Sequence, residues 1–379
     1  MCVIFFGQLA CGEIDWSGDL SPANPTGWTT STHASIGQSD SGMLEITGGT
    51  VSTYRGSIGY DPGSSGQVTV DGAGSMFTNS SNLYVGRGGS GVMDIIGGGS
   101  VDNDTGYIGY SANASGEVTV TGTGSTWTNG GSHYVGFLGN GTLSITDGGA
   151  VDNGFGFIGY ALDSTGQVTV DGNGSTWKNS DGLYVGDAGD GTLTITGGGR
   201  VDVAGGLFVK YGGASYINMT GGGKLALYGD ADGSLDEFLD LIDGSDAIRY
   251  WDHINAAWAD ITGATSGRDY WLSYVSEGDL AGYTVLTVER ALIGDANHDG
   301  TVDDTDAALV AAGWQTGTGV TWEMGDFNCD GAVNEIDITL LAANWQRDVD
   351  DTGQSVPEPS MAVGLMWLVG ICGWRRRKR

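Results

Sequence analysis

The sequence predicts a mainly β protein: a right-handed parallel β-solenoid (β-helix) with a capping α+β segment and a small α-helical domain. Three observations predict it. A pattern of alternating apolar residues and glycine-rich corners recurs along half the chain, with the regular spacing that is typical of stacked repeats. The chain has 71 glycines but only 5 prolines, which suits tight turns between strands better than disorder. Two related acidic loops each lead into an apolar-periodic segment suited to one helix.

The repeat fixes the length of one coil of the solenoid, which is about 25 residues and so within the range of stacked repeat units. Its units begin at Gly42, Gly66, Gly91, Gly116, Gly141, Gly166, Gly191 and, in a degenerate copy, Tyr216. Two unit types alternate, so the full repeat comprises two coils. Each unit has a short alternating strand, a glycine-rich corner, a second apolar position and a third strand. One such unit cannot bury an apolar face alone, whereas stacked copies can.

Stacking at about 4.8 Å between paired strands gives eight coils a length on the order of 35–40 Å. The alternative is a multi-bladed propeller, which needs four strands in blades of about 40–45 residues. The repeats resemble, loosely, the glycine-rich β-solenoid regions of autotransporter passengers and other bacterial surface proteins. This resemblance covers about half the chain and implies a display or adhesion rod.

The recurrence also places side chains in columns along the rod. Residues one full repeat apart form an aromatic, an asparagine, an aspartate and a tyrosine column: Phe77, Trp127 and Trp177; Asn79, Asn129 and Asn179; Asp102, Asp152 and Asp202; Tyr60, Tyr110 and Tyr160. We interpret the aromatic columns as core and corner packing and the asparagines as corner hydrogen-bond ladders. The alternative for the Trp and Tyr columns is a sugar-stacking face, as in a glycan-binding adhesin.

Catalysis by the solenoid would need a base, an acid and often a cation to converge at one place. The basic residues between 42 and 230 fall at different coil positions: Arg55, Arg87, Lys178, Arg200, Lys210 and Lys224. The single histidine of that span is His133. We therefore expect no catalytic residues and no enzyme. The alternative is a polysaccharide-degrading β-helix enzyme.

The charge of the chain excludes one class of partner. Its formal net charge is −31, with 15 Lys and Arg against 46 Asp and Glu. Five of the basic residues are the last five of the chain, so the remainder carries 10 − 46 = −36. Such a body repels nucleic acid and anionic membranes and attracts divalent cations. We expect no nucleic-acid partner.

Two loops near the C-terminus have the spacing of calcium ligands, with oxygen donors at loop positions 1, 3, 5, 9 and 12 and a backbone carbonyl at position 7. The first loop offers Asp295, Asn297, Asp299, Thr301, Asp303 and Asp306. The second offers Asp326, Asn328, Asp330, Ala332, Asn334 and Asp337. Gly300 and Gly331 supply the sharp turn at position 6. The pattern predicts two calcium ions and folding that depends on them.

An EF-hand would have a helix before each loop and Glu at position 12, whereas here Asp ends both loops. In this departure the segment closely resembles a type I dockerin, a pair of loop–helix calcium units. The resemblance implies a cohesin-like partner, selected by loop positions 10 and 11. Those positions are Asp304 and Thr305 in the first copy, and Glu335 and Ile336 in the second. The two pairs differ, which argues against a symmetric two-way binding mode. The alternative is a structural calcium clamp without a partner.

The C-terminal tail reads as a sorting signal. Val356, Pro357, Glu358 and Pro359 form an extended stretch, followed by about 14 apolar residues and then Arg375 to Arg379. The apolar run is short of the roughly 20 residues that span a membrane comfortably. This order closely resembles the PEP-CTERM signal, which implies an exosortase partner and export across the inner membrane of a Gram-negative bacterium. The alternative is a simple C-terminal membrane anchor.

Together these features predict an exported, non-catalytic protein of the cell surface or extracellular matrix, with extracellular polysaccharide as a further partner. A transient membrane segment lies at its C-terminus. The expected organisation is a candidate truncated signal peptide (1–15), an N-terminal cap (16–41), the solenoid (42–230), a C-terminal cap (231–292), the calcium module (293–347), a linker (348–355) and the sorting signal (356–379).

Overall fold

The computed structural model describes most of the chain up to residue 346. The described ranges are 13–210, 214–231, 233–243, 247–252, 257–289, 292–297, 301–314, 320–328 and 331–346. The chain divides into two compact units. The first comprises residues 1–264 and 270–289, and the second comprises residues 265–269 and 290–379.

The first unit confirms the predicted fold class, since it is a parallel β-solenoid. Its described strands form three sheets, and successive strands of the chain pass from one sheet to the next. The first sheet has the order β1 (Ile14–Gly18), β4 (Ser41–Ile46), β7 (Ser65–Asp71), β10 (Ser90–Ile96), β13 (Ser115–Thr121), β16 (Asn140–Thr146), β19 (Thr165–Asp171), β22 (Asp190–Thr196), β25 (Tyr216–Met219), β28 (Ile248–Asp252) and β29 (Ala257–Asp260).

The other two sheets follow the same stacking. The second sheet has the order β2 (Leu20–Ser21), β3 (His33–Ile36), β6 (Arg55–Ile58), β9 (Leu83–Val85), β12 (Gly106–Ile108), β15 (His133–Val135), β18 (Gly156–Ile158), β21 (Leu183–Val185), β24 (Leu207–Val209) and β27 (Ile242–Asp243). The third sheet has the order β5 (Gly49–Thr53), β8 (Ser75–Asn79), β11 (Ser100–Asn103), β14 (Thr126–Asn129), β17 (Ala150–Asn153), β20 (Thr176–Asn179), β23 (Arg200–Val203), β26 (Gly223–Tyr228), β31 (Tyr283–Val288) and β30 (Tyr270–Val275).

The register between coils is set by the repeat. Gly91 of β10 pairs with Gly116 of β13, so equivalent residues of successive units lie side by side. Glycine is required at the corner of each coil, where the backbone approaches the next coil closely. At Gly86, for example, φ is +70° and an added Cβ would lie 2.0 Å from the carbonyl oxygen of Ser115. No other residue fits there without moving the backbone.

Alternation of large and small side chains explains why two unit types alternate along the chain. In the second sheet Gly106 lies in register between Leu83 and His133. In the third sheet Val101 pairs with Phe77 on one side and Trp127 on the other. A bulky residue thus faces a small one in each neighbouring coil, which fills the interior at an ordinary packing density.

The column of Phe77, Trp127 and Trp177 and the column of asparagines lie inside the solenoid. Trp127 and Trp177 are fully buried, with no exposed surface. Their indole nitrogens donate to the side-chain oxygens of Asn103 (2.7 Å) and Asn153 (2.6 Å). The interpretation of the aromatic column as core packing is confirmed. The column residues Asn129 and Asn179 accept hydrogen bonds from Asn103 (2.6 Å) and Asn153 (2.8 Å) of the preceding coil, so these asparagines form coil-to-coil pairs and not an unbroken ladder. The alternative that Trp127 and Trp177 form a sugar-stacking face is wrong, because no sugar reaches them.

Antiparallel strands end the parallel stacking on both sides. At the start β1 pairs antiparallel with β4, and β2 with β3. Near the end β29 pairs antiparallel with β28, and β31 lies antiparallel between β26 and β30. The predicted helix of the capping segment is present as α1 (Leu235–Leu239), and the Ser234 hydroxyl accepts the Glu237 N–H at its start. Paired or covered edges limit strand-to-strand aggregation.

The described residues of the second unit form two short α-helices, α2 (Asp304–Gly313) and α3 (Glu335–Ala343), and a 3₁₀ turn at Trp322–Met324. Further 3₁₀ turns lie in the first unit at Pro25–Gly27, Ile261–Gly263 and Gly278–Leu280. Among the helices that the structure describes, none combines the length and hydrophobicity needed to cross a membrane. The predicted sorting signal, including Val356, Pro357, Glu358 and Pro359, lies outside the described residues.

Candidate metal centre

Each predicted calcium loop ends by capping the helix that follows it. In the first loop the Asp303 side chain accepts the backbone N–H of Thr305 at 2.7 Å. The Asp306 Oδ2 in turn accepts the N–H of Asp303 at 2.8 Å, which completes a capping box at the start of α2. Positions 9 and 12 of the loop therefore also fix where the helix begins.

The second loop repeats this arrangement at the start of α3. Asn334 Oδ1 accepts the N–H of Ile336 at 2.9 Å, and Asp337 Oδ2 accepts the N–H of Asn334 at 2.9 Å. The likeness of the two loops in sequence is thus reproduced as matching local geometry. A local capping motif needs no tertiary contact to form, so both helix starts are encoded by the loops themselves.

The position-12 carboxylates also close the loops onto themselves. Asp306 Oδ1 accepts the N–H groups of Ala296 (2.8 Å) and Asn297 (3.2 Å) near the start of its loop. Asp337 Oδ1 likewise accepts from Phe327 (2.8 Å) and Asn328 (3.4 Å). Each carboxylate ties the first and last thirds of its loop together, which holds the loop in a closed turn.

The charge of the segment fits a bound cation. Asp306 and Asp337 have no exposed surface, and Asp295 and Asp326 are 3 % exposed. Residues 293–345 contain ten Asp and Glu and no Lys or Arg. Buried carboxylates are costly unless a positive charge compensates them, and within this segment the chain supplies none from Lys or Arg. The oxygen-only donors suit a hard ion such as Ca²⁺.

The remaining predicted ligands lie around the same loops. Asn297, Thr301, Asp303, Asn328, Ala332 and Asn334 are partly or largely exposed at the loop surface. The position-5 residues Asp299 and Asp330 lie outside the described residues, as does Gly300. Within the described part of the chain, no three His, Cys, Asp or Glu side chains converge as a metal site. The ligand set therefore stays a prediction.

The two loop–helix units are related by reciprocal packing. An added Cβ on Gly294, before the first loop, would lie 3.2 Å from the Cα of Leu341 in α3. One on Gly325, before the second loop, would lie 2.9 Å from the Cα of Val310 in α2. The two glycines hold the same place in the two copies, as do Val310 and Leu341, so each loop rests against the helix of the other copy. The two loop–helix units therefore pack against each other as one module.

Trp322 is a residue of this module that the sequence reasoning missed. Its indole N–H donates to the backbone carbonyl of Asp295 at 2.7 Å, and its ring meets Phe327 edge-on at 5.2 Å. Trp322 lies in the segment that leads to the second loop, and its hydrogen bond supports Asp295 at position 1 of the first loop. No repeated position marks it, since the two related tryptophans of the repeats are Trp314 and Trp345.

The predicted partner-binding residues lie on the first turn of each helix. Asp304, Thr305, Glu335 and Ile336 are all exposed, and 54 % of the Ile336 surface is accessible. Ile336 therefore lies at the surface of the domain, where a partner can reach it. The two pairs lie at equivalent places on α2 and α3 but differ in chemistry.

Residues 293–345 match the dockerin type I domain. This segment is a type I dockerin domain. Type I dockerin domains bind calcium and cohesins, in agreement with the loops described above. A dockerin domain is typical of extracellular or cell-surface proteins that are tethered through a cohesin. No curated protein and no solved structure matched the chain significantly.

The outer face of the solenoid carries aromatic columns that the sequence reasoning identified only in part. Rings stack along the second sheet with 4.6–5.0 Å between centroids, in the order Tyr84, Tyr107, Tyr134, Phe157, Tyr184 and Phe208. Beside them Tyr110, Phe137 and Tyr160 stack at 5.0–5.2 Å. The faces of these rings cover one another, so the columns offer edges rather than the open faces that sugars stack on.

Proposed function

We propose that the protein is a non-catalytic rod of the cell surface or extracellular matrix, held in place by its dockerin domain. The observation that carries this proposal is the exposed first turn of α2 and α3, set at the mouth of two acidic loops. Calcium would order both loops, and a cohesin-like partner would dock on Asp304, Thr305, Glu335 and Ile336.

Two calcium ions, one in each loop, are part of the proposal. The matching capping boxes at Asp303 and Asn334, and the equally buried Asp306 and Asp337, support equal roles for the loops. The difference between the exposed pairs supports a preferred orientation of the partner. An apolar Ile336 buries area on contact, whereas Thr305 in the first copy offers a hydroxyl.

Export and sorting form the second part of the proposal. The VPEP stretch, the apolar run and the basic end support recognition by an exosortase, removal of the tail and release of the protein into a polysaccharide-rich layer. The rod would then remain outside the cell with its dockerin domain free to bind. The rod would act within a matrix of extracellular polysaccharide.

The tether is tested by binding of the full chain to immobilised type I cohesin modules, followed by surface plasmon resonance. We expect binding in calcium and its loss in EDTA. Ile336→Asp should weaken binding at least about tenfold, because it places a charge in an apolar contact. Ala311→Asp, at an exposed position on α2, is the matched control and should bind as the parent does. Calcium-independent binding, or no binding to any cohesin, would contradict the proposal.

A further inference from the structure

A cavity of about 350 Å³ opens on the outer face of the third sheet. Its floor is formed by four coils, and its rim by the turn Gly278–Leu280 that joins β30 to β31. The charged side chains that line it are Asp152, Lys178, Asp202 and Asp279, and Tyr283 adds an aromatic ring. All of these residues belong to the first unit.

This cavity is where the repeat is broken. Lys178 lies in register between Asp152 and Asp202 on neighbouring strands. In the earlier coils the position of Lys178 is held by Thr78 and Thr128. Lys178 and Arg200 occupy different coil positions, as the sequence shows, yet both lie beside Asp202, Arg200 on the same strand and Lys178 on the neighbouring one. The turn that forms the rim comes from the capping segment, so the sequence repeat alone gave no signal of it.

An ion pair holds the rim against the floor. The Arg200 Nη2 contacts Asp279 Oδ2 of the turn at 3.2 Å and Asp202 Oδ2 of its own strand at 3.0 Å. The Arg200 Nε lies 2.8 Å from Asp202 Oδ1, an electrostatic contact without hydrogen-bond geometry. Asp202 is 5 % exposed, so its pair with Arg200 is largely shielded from solvent, whereas the Asp279 side chain is 71 % exposed. The wall formed by Arg200 and Asp202 is thereby held in place, and the turn is attached to it by a solvent-exposed contact.

The groups left over are suited to a ligand with hydroxyl groups. Lys178 is exposed and forms no ion pair or hydrogen bond with the described residues. The Asp152 carboxylate is partly exposed on the strand beside it. Lys178 and Asp152 lie on adjacent strands, roughly 4.8 Å apart, so one donor and one acceptor are available to the hydroxyls of one sugar. Tyr283 is half-buried and meets Tyr228 edge-on at 5.4 Å.

Other ligand classes fit less well. A metal ion is disfavoured because the positively charged Lys178 lies in register between Asp152 and Asp202, and Asp202 is already paired with Arg200. A polyanion is disfavoured by the net charge of −31 and by Asp152, Asp202 and Asp279 around the opening. We propose that this cavity is a carbohydrate-binding site for a neutral oligosaccharide, with Lys178 donating to a hydroxyl, Asp152 accepting from one, and Tyr283 packing against the ring.

The arrangement favours binding over hydrolysis of the sugar. Glycoside hydrolysis needs one carboxylic acid free to protonate the leaving oxygen and a second carboxylate as base or nucleophile. Both carboxylate oxygens of Asp202 are engaged by Arg200. Asp202 therefore shapes the wall and positions the turn, and the sugar leaves unchanged.

The test is a panel of neutral hexasaccharides of glucose, galactose, mannose and xylose, titrated into the full chain by calorimetry. We expect saturable binding of at least one. Lys178→Thr, which restores the residue of the earlier coils, should weaken it at least about tenfold, and Asp152→Asn should weaken it too. Asp102→Asn is the matched control one full repeat earlier, outside the cavity, and should leave the affinity unchanged.

Three outcomes would overturn the assignment. These are no binding of any hexasaccharide, binding that survives both Lys178→Thr and Asp152→Asn, and the release of shorter sugars detected by mass spectrometry. The same titration in EDTA separates this site from the tether. In EDTA, sugar binding should persist and cohesin binding should be lost. The sugar-binding proposal and the tether proposal can therefore be tested independently.

Discussion

The imidazole of His133 lies against the indole of Trp127 inside the solenoid, with 4.4 Å between ring centroids and an interplanar angle of 65°. Both side chains are fully buried, and neither nitrogen of His133 has a hydrogen-bond partner. Burial lowers the pKa of His133 from 6.5 to about 3. In the coils one repeat before and after, the same position is held by Leu83 and Leu183.

His133 should make the solenoid sensitive to acid. The unfolded chain takes up a proton near pH 6.5, but the folded core holds the imidazole neutral down to about pH 3. Stability from this group is therefore full above about pH 6.5 and falls as the pH drops. The loss between about pH 8 and pH 4 is about 3 kcal/mol.

The measurement is urea unfolding of the parent and His133→Leu at several pH values. The carboxylates titrate in both proteins, so the difference between them isolates the histidine. We expect His133→Leu to be the more stable, with its advantage growing as the pH falls from 7 to 4. A difference that does not change with pH would contradict the burial of a neutral imidazole.

The pairing of Trp177 with Asn153 is a second relationship that can be tested within the repeat. Asn153 accepts the indole N–H at 2.6 Å and donates to Asn179 Oδ1 at 2.8 Å. In the first copy Phe77 has no N–H to donate, and the partner position is Thr53. Two native solutions therefore exist for the same place in the coil.

Asn153→Thr should destabilise the solenoid by about 1–3 kcal/mol, because it leaves the buried indole N–H of Trp177 without an acceptor. Adding Trp177→Phe recreates the Phe77–Thr53 pair and removes that orphaned donor. In a thermal-unfolding double-mutant cycle we expect the double variant to cost less than the sum of the single ones, by about 1 kcal/mol or more. Simple additivity would show that the hydrogen bond contributes little.

Glycine at the inner positions of the second sheet provides a third test. A Cβ on Gly156 would lie 2.3 Å from Asn179 Oδ1 and 3.0 Å from the Trp177 ring. Gly156→Ala should therefore cost about 1–3 kcal/mol in the free energy of urea unfolding. Gly130→Ala is the control, since the nearest atom to its added Cβ is 3.8 Å away. Equal effects of the two substitutions would contradict the close packing of the coils.

The solenoid could be predicted from the sequence because every coil repeats the same pattern of packing residues. The position of Gly91 and the position of Trp127 and Trp177 each recur at a fixed spacing along the chain. Several copies therefore show which positions need a small residue and which need a large one. The starts of α2 and α3 were predictable for a local reason, since their caps lie within the loops that precede them.

Features made by a single long-range contact could not be predicted in this way. The contact of Arg200 with Asp279 joins residues 79 positions apart, and nothing periodic marks either one. The same holds for Trp322, which supports Asp295 from outside the repeated segments. The cavity around Lys178 exists because the end cap folds back over the coils. The repeat within the coils does not contain the residues of the cap, so it could not predict the cavity.

Calcium dependence should be visible in each half of the dockerin domain by hydrogen exchange. In the full chain, we expect EDTA to speed amide exchange in peptides from 301–314 and 331–346, while peptides from β10 to β20 stay protected. Asp337→Asn should give fast exchange in 331–346 even with calcium, because it removes a charge and one acceptor oxygen from the loop. Thr339→Ala, exposed on α3, is the control. Exchange that ignores EDTA in both halves would refute metal-linked folding of the loops.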